Sequence, residues 1–321
     1  MARFRTVLLT GGTGFVGGHL SRALAQRHPE AKLVFLCRPG EQPTQADAAF
    51  LSADLTDEAS VDAAVKHVSP DLILHLAAQA SVGDAIGGAE RTWRVNFCGT
   101  MWLASATARY CPRATFLFIS SAEVYGASFR EGPAREDTPL LPLNAYARSK
   151  AAAEAMLADV LPESARLIIV RSFNHTGAGQ DERFVLPAFA AQIARMERGE
   201  QEPRLRVGNL AAEREFLDVE DVVDAYLRLL ETEGLPHRAI FNVCSGEAHA
   251  ISDMLDHMRA SARTGFEVNV DPDRLRPSEI ARAVGDPSKL QDMTGWTPRH
   301  SIDDMLSRLL DYWRARLATA G

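Results

Sequence analysis

The stretch that most limits the fold of this chain is Thr10-Gly11-Gly12-Thr13-Gly14-Phe15-Val16-Gly17. It joins a short apolar run, Arg5–Thr10, to Phe15–Arg27, where Phe15, Leu20, Ala23 and Leu24 recur at helical spacing. Three glycines at G-x-x-G-x-x-G between a strand and a helix suit a dinucleotide site. Gly11 permits the tight turn, Gly14 lets a pyrophosphate approach the backbone, and Gly17 lets the helix pack closely. The helix start then offers free N–H groups and partial positive charge to phosphates. Thr13, Phe15 and Val16 belong to the same cofactor-binding loop.

Beyond this loop, strand-like and helix-like segments alternate to about residue 171. Strands are expected at Lys32–Cys37, Leu72–Leu76, Thr115–Ser120 and Arg166–Arg171. Helices are expected at Asp57–His67, Trp93–Tyr110 and Asn144–Leu161. Near-continuous apolar strands separated by helices predict an α/β fold, a Rossmann-like doubly wound parallel sheet covered on both faces. After Ser172, prolines punctuate shorter elements, with helices expected at Pro187–Arg198, Val219–Glu231, Ile251–Ala260 and Ile302–Ala318. Residues 1–171 therefore read as a cofactor-binding domain to which some later segments return. Residues 172–321 read as mainly a smaller mixed α/β substrate lobe.

Composition narrows the class. The chain has 321 residues, 46% hydrophobic and 24% charged. That excludes a disordered chain, a collagen-like chain and a small disulfide scaffold. A net charge of −7 argues against a nucleic-acid partner. No apolar stretch approaches the length of a bilayer span, and the first apolar run stops at Gly11, so neither membrane nor leader is expected. Cys37, Cys98, Cys111 and Cys244 show neither C-x-x-C nor zinc-ligand spacing. They read as reduced thiols in a cytoplasmic protein, and no metal is expected.

The cofactor's sugar end is expected at the second strand, which ends Leu36-Cys37-Arg38 with no carboxylate at its tip. A guanidinium there suits the 2′-phosphate of NADP(H), so NADP is preferred and NAD(H) is the alternative. Arg38 also fits a solvated surface arginine. Asp54-Leu55 fits an adenine contact, and Asp54 fits equally a turn or cap. Leu76, Ala77 and Ala78 follow the third strand, where small residues let a nucleotide lie against the backbone. His75, inside the apolar run, reads as a packed strand histidine.

Tyr146 and Lys150 stand four apart at the start of a helix and share one face. A nearby ammonium favours phenolate and is expected to lower the tyrosine pKa, making Tyr146 an acid or base for a carbonyl/alcohol pair. Phe116–Ser121 is an apolar strand ending in two hydroxyls, at the strand end where open parallel sheets bind ligands.

Thr10–Gly17, Ser120–Gly126 and Tyr146-x-x-x-Lys150 together resemble the extended short-chain dehydrogenase/reductases over almost the whole chain. The resemblance implies a catalytic Ser121, Tyr146 and Lys150, with Tyr146 and Lys150 also touching the cofactor and Phe173 lining its site. Arg171–Gly177, Phe184-Val185, Val207–Leu210, Asn242–Gly246, Leu275–Glu279 and Gly295–Pro298 look like the GDP-mannose branch. That implies a GDP-sugar substrate, with Ser121, Asn174, Val185, Asn209, Arg214, Arg276 and Glu279 as its contacts. Arg214 and Arg276 suit a pyrophosphate, and Glu279 suits ribose hydroxyls or guanine N–H groups.

Two activities share these features. One reduces the C4 keto group of GDP-4-dehydro-6-deoxy-D-mannose to GDP-D-rhamnose, or to its C4 epimer GDP-6-deoxy-D-talose. The other is 4,6-dehydration of GDP-mannose, for which Glu123 is the residue implied. The strings Asn242–Gly246 and Arg171–Gly179 favour the reductase. A non-catalytic NADP-binding sensor or scaffold is disfavoured by the presence of both Tyr146 and Lys150. Ala178 stands where the branch usually has proline, and Glu215 where it usually has aspartate. The resemblance also implies a homodimer through a four-helix bundle of the helices expected at Trp93–Tyr110 and Asn144–Leu161.

Overall fold

The computed structural model describes residues 4–43, 48–79, 88–274 and 280–319. Seven strands, β1 (Thr6–Thr10), β2 (Lys32–Cys37), β3 (Ala49–Ser52), β4 (Leu72–His75), β5 (Thr115–Ser121), β6 (Arg166–Ser172) and β7 (Arg238–Val243), form one sheet. Its order is β7-β6-β5-β4-β1-β2-β3 and every pairing is parallel. The order reverses between β1 and β4, so a crevice opens beyond their carboxyl ends.

Parallel strands joined by crossovers must be covered on both faces, which accounts for their unbroken apolar runs. Helices Glu58–Val68, Gly99–Tyr110 and Ala145–Val160 cover one face, burying Leu8, Ile73, Phe116 and Ile169. Helices Phe15–Arg27 and Val219–Glu231 cover the other, with Leu9, Leu74, Phe241 and Trp296. A separate core holds helices Val185–Glu197, Ile251–Ala260 and Ile302–Thr319 around Phe189, Leu205, Phe266 and Trp313.

The expected helices at Phe15–Arg27, Val219–Glu231 and Ile251–Ala260 keep those bounds, and, apart from the one expected from Trp93, the others move by a residue or two. Asp57 and Asn144 stand just outside their helices as N-caps, accepting from Ala59 N and Ala147 N. The helix expected from Trp93 begins earlier, at Ala89, and passes through a π-helical turn, Arg94–Cys98. Sequence reading missed β3 at one edge of the sheet and β7, which comes from the second half of the chain and completes the other edge.

Glu215 is fully buried and joins three separated segments. One carboxylate oxygen accepts from Gly285 N at 2.5 Å. The other accepts from Ser245 N, Ser245 Oγ and Gly246 N at 2.5, 3.0 and 3.1 Å. Burial pushes this carboxyl up to about 7 despite those donors. The extra methylene relative to aspartate thus serves reach across a buried junction. Because both oxygens accept, Glu215→Gln turns an amide N–H₂ against at least one backbone N–H. It should cost about 1–3 kcal/mol of stability, read from denaturant unfolding; an unchanged midpoint contradicts this account of the junction.

Candidate active site

The glycine loop is shaped by contacts that exclude side chains. Gly11 has φ +71°, and a Cβ there would lie 2.7 Å from Ala77 N. A Cβ on Gly17 would lie 2.2 Å from the Gly11 carbonyl oxygen. Thus Gly17 packs on the loop itself, and the loop packs on the chain leaving β4. Gly14 is the helix N-cap and brings no capping side chain, so the first N–H groups of Phe15–Arg27 face the crevice. A cradle that Cβ atoms would fill, at a helix start between β1 and β4, fits a dinucleotide pyrophosphate. Thr13 is exposed, and Phe15 and Val16 are half-buried. The Phe15 ring stacks on His175 at 6.2 Å between centroids, linking the loop to the second half of the chain.

Leu76, Ala77 and Ala78 lie half-buried beside this loop, where Ala77 N donates to Thr10 Oγ1 at 3.2 Å. His75 is fully buried between Thr10 Oγ1 (2.7 Å) and Thr100 Oγ1 (2.8 Å), and burial pushes its pKa down to about 3. It is a packed neutral histidine, as expected. Arg38 stands at the tip of β2 and pairs with Glu41. Asp54 sits in a turn: its Oδ1 accepts from Thr56 N and Oγ1, both at 2.8 Å, bonds that hold the carboxyl below its usual range. Leu55 is buried beneath Gly99. The Phe173 side chain is also buried, against Tyr125 and Phe129.

Ser121, Tyr146 and Lys150 come together beyond β5. Ser121 Oγ accepts from Glu123 N at 3.2 Å and is hydrogen-bonded to the Tyr146 hydroxyl. Lys150 Nζ donates to the Ile119 carbonyl at 2.6 Å and sits 4.6 Å over the Phe118 ring. The expected fall in the tyrosine pKa is not what this geometry produces. Burial dominates and pushes Tyr146 up to about 12, with the Ser121 bond opposing and the Glu123 charge reinforcing. Burial likewise pushes Lys150 down to about 7, opposed by Glu154. The phenol is held protonated, and the lysine is the group poised near neutral pH.

Glu123 belongs to the same cleft. Its Oε2 accepts from Asn144 Nδ2 at 3.4 Å, and its charge is felt by both Tyr146 and Arg214. Arg214 donates to the carbonyls of Glu213, Ile280 and Ala281 at 2.8, 2.9 and 3.2 Å. Asn174 and Val185 are exposed. Asn209 is turned back on its own loop, accepting from Ala211 N at 2.9 Å. Arg276 and Glu279 lie outside the described residues.

Sequence reading missed two contributors. Asn96, buried in the π turn, accepts from Gln79 N at 2.8 Å and donates to Ser149 Oγ at 3.1 Å. It ties the loop after β4 to the tyrosine helix. Arg171 and Glu154 form a buried ion pair behind Lys150, at 2.8 Å. A charged residue ending an apolar strand and a glutamate one turn past Lys150 were the available signals.

A glycine cradle at the switch point and a Ser-Tyr-Lys cluster beyond β5 define a short-chain dehydrogenase/reductase that binds a nicotinamide dinucleotide. Comparison with known proteins agrees: residues 8–309 match the GDP-mannose 4,6 dehydratase family model. A GDP-6-deoxy-D-mannose reductase of Pseudomonas aeruginosa is 36% identical over 97% of this chain and 98% of its own. The UDP-glucose 4-epimerase of Neisseria gonorrhoeae is 26% identical over 96% of each. The solved structure of RMD from Pseudomonas aeruginosa complexed with NADPH has a TM-score of 0.83 at 36% identity, covering 97% of this chain and 99% of that one. The Thermus thermophilus UDP-glucose 4-epimerase complexed with NAD reaches 0.84 at 28%, covering 96% and 99%. The chain belongs to the GDP-mannose 4,6-dehydratase family of extended short-chain dehydrogenase/reductases, and is an NAD(P)-dependent oxidoreductase-type enzyme. Among the described residues, no helix is long and apolar enough to cross a membrane.

The glycine contacts give a direct test of the cradle. In Gly17→Ala the new methyl meets the backbone of the Gly11 turn, which cannot move without displacing Ala77. The substitution should destabilise the protein by about 1–3 kcal/mol and weaken NADPH binding in a fluorescence titration. Unchanged melting and unchanged affinity would refute the packing assigned to the loop.

Proposed function

We propose that this protein is an NADPH-dependent reductase of the C4 keto group of GDP-4-dehydro-6-deoxy-D-mannose, yielding GDP-D-rhamnose. The observation that carries the reading is the buried Tyr146, held as a phenol and hydrogen-bonded to Ser121 beside Lys150. A ketone reduction needs a proton donor at the carbonyl oxygen, and a neutral phenol is that donor. The 36% identity to a GDP-6-deoxy-D-mannose reductase supports the substrate class.

Residues 1–171, with β7 returning, would hold the dinucleotide. Gly11, Gly14, Gly17 and the following helix start would take the pyrophosphate, and Arg38 would leave Glu41 for the 2′-phosphate. Bound there, the reduced nicotinamide supplies the hydride. Ser121 orients and polarises the keto oxygen. Tyr146 gives its proton to the oxygen as charge develops, and the Lys150 ammonium stabilises the phenolate left behind. Residues 172–321 would mainly hold the GDP-sugar, with Asn174, Val185 and Arg214 at the cleft. The four thiols are free, which suits a cytoplasmic enzyme. A homodimer through helices Gly99–Tyr110 and Ala145–Val160 is part of the proposal; a monomeric mass by light scattering argues against that part.

One observation favours a second reading. Glu123 lies close enough to Tyr146 and Arg214 for its charge to act on both, and a carboxylate there could move a proton in a 4,6-dehydration. The deciding experiment supplies GDP-mannose with and without a separate dehydratase. The reductase reading predicts NADPH oxidation only with the dehydratase present, and NMR of the product then fixes rhamnose against its talose epimer. Consumption of GDP-mannose by the protein alone, without net NADPH use, supports the second reading. Neither reaction, with dinucleotide bound, supports a sensor.

The reaction should also report Lys150. With a folded pKa of about 7, the ammonium is full at lower pH and is lost as pH rises through that value. Tyr146, at about 12, keeps its proton throughout. The rate of reduction should therefore fall on the alkaline side with one limb near neutrality. A flat profile to about pH 9 contradicts this assignment.

A further inference from the structure

Three charged side chains are buried together where helix Ala145–Val160 crosses β5 and β6. Lys150 is 2% exposed, Glu154 5% and Arg171 4%. Two carry positive charge and one negative. Lys150 is satisfied by a carbonyl and an aromatic face, neither of which carries a formal charge. Its own helix presents Tyr146 and Glu154, β4 presents His75, and β6 presents Arg171. Of these, Tyr146 and His75 are held neutral by burial, leaving Glu154, among the described residues, as the anion of the group.

Glu154 is held in place from two strands. Ser120 Oγ donates to its Oε1, Arg171 Nε reaches both oxygens at 3.2 and 3.1 Å, and Nη2 reaches Oε2 at 2.8 Å. Arg171 is fixed in turn by Tyr125 Oη at 3.0 Å and the Glu136 carbonyl at 2.9 Å. Tyr125 donates to Asn242 Oδ1 of β7 at 2.7 Å. Arginine does not shed its proton in a protein. Any shortfall of negative charge in this cluster must therefore fall on Lys150, the one cation that can become neutral.

We infer that Glu154 is a positioning residue of the active site: its carboxylate, fixed by Arg171 and Ser120, is the counter-charge that keeps Lys150 an ammonium one helical turn away. The inference rests on the reading of Tyr146 and Lys150 as a working pair, and it extends that pair to a residue facing neither substrate nor cofactor. The Arg171–Glu154 bond serves placement, and the surplus positive charge is what Lys150 brings to the phenol.

The chain makes this measurable without turnover. It has four lysines, Lys32, Lys66, Lys150 and Lys289, so a protein labelled with ¹³C at lysine Cε gives four titrations, and Lys150→Met identifies the one that matters. In Glu154→Gln the Lys150 resonance should titrate about one pH unit or more lower than in the native protein, while the other three stay put. Glu154→Asp, which keeps the charge, should fall between. The alkaline limb of the reduction should move with the resonance in Glu154→Gln, a change that a purely structural residue would not produce. Should the single variant fail to fold, Glu154→Met with Arg171→Met removes both charges, and Lys150 should still titrate lower than in the native protein. A Lys150 titration unchanged or raised in the folded variant overturns the inference. A lowered titration in a protein that reduces no keto sugar sinks the reductase reading alone.

Discussion

Gly17 meets the Gly11 carbonyl without a side chain between them, and the carboxyl edge of the sheet is organised around that contact. It lets the first helix begin at Phe15, just beyond β1, with Gly14 as its N-cap. It also presses the loop onto Ala77 at the place where strand order reverses. From there the constraint spreads in two directions. Phe15 stacks on His175 and fixes the entry to the second half of the chain. Gln79, just past β4, is bonded to Asn96, and Asn96 to Ser149 on the tyrosine helix. A backbone approach only glycine allows is thereby connected, bond by bond, to the placement of Tyr146 and Lys150.

Burial then divides labour within the pair. The same desolvation that raises the tyrosine lowers the lysine, because each loses solvation of its charged form. A phenol that stays protonated and an amine poised near neutral pH suit proton donation during reduction. Proton abstraction in the reverse direction would need a lower tyrosine pKa than the free protein provides. The buried Glu154–Arg171 pair illustrates why such ion pairs are weak evidence for stability: desolvation offsets much of their attraction. Its value here lies in where it puts a negative charge.

Much of this was legible in the sequence where the signal is local. The glycine spacing, the two hydroxyls ending an apolar strand and the Tyr146/Lys150 repeat each lie within a few residues, and the alternating pattern located five of the seven sheet strands; Ala49–Ser52 is too short and too exposed to stand out. The seventh, Arg238–Val243, was illegible because a strand returning from the second half looks like any apolar run. Asn96 was hidden because periodicity does not announce a π turn. Glu215 could be marked as unusual, but its donors lie 30 and 70 residues away, at Ser245 and Gly285. The tyrosine pKa was misjudged for a related reason: spacing shows which charge is near, while burial depends on the whole fold.

The central claim, that a protonated Tyr146 completes the reduction, is tested most directly by single-turnover hydride transfer in Tyr146→Phe. The NADPH-loaded protein is mixed with GDP-4-dehydro-6-deoxy-D-mannose and absorbance followed. The phenyl ring keeps the packing, so NADPH should bind with nearly native affinity while the transfer slows by about a thousandfold. Transfer at close to the native rate in a variant that binds NADPH normally would contradict it.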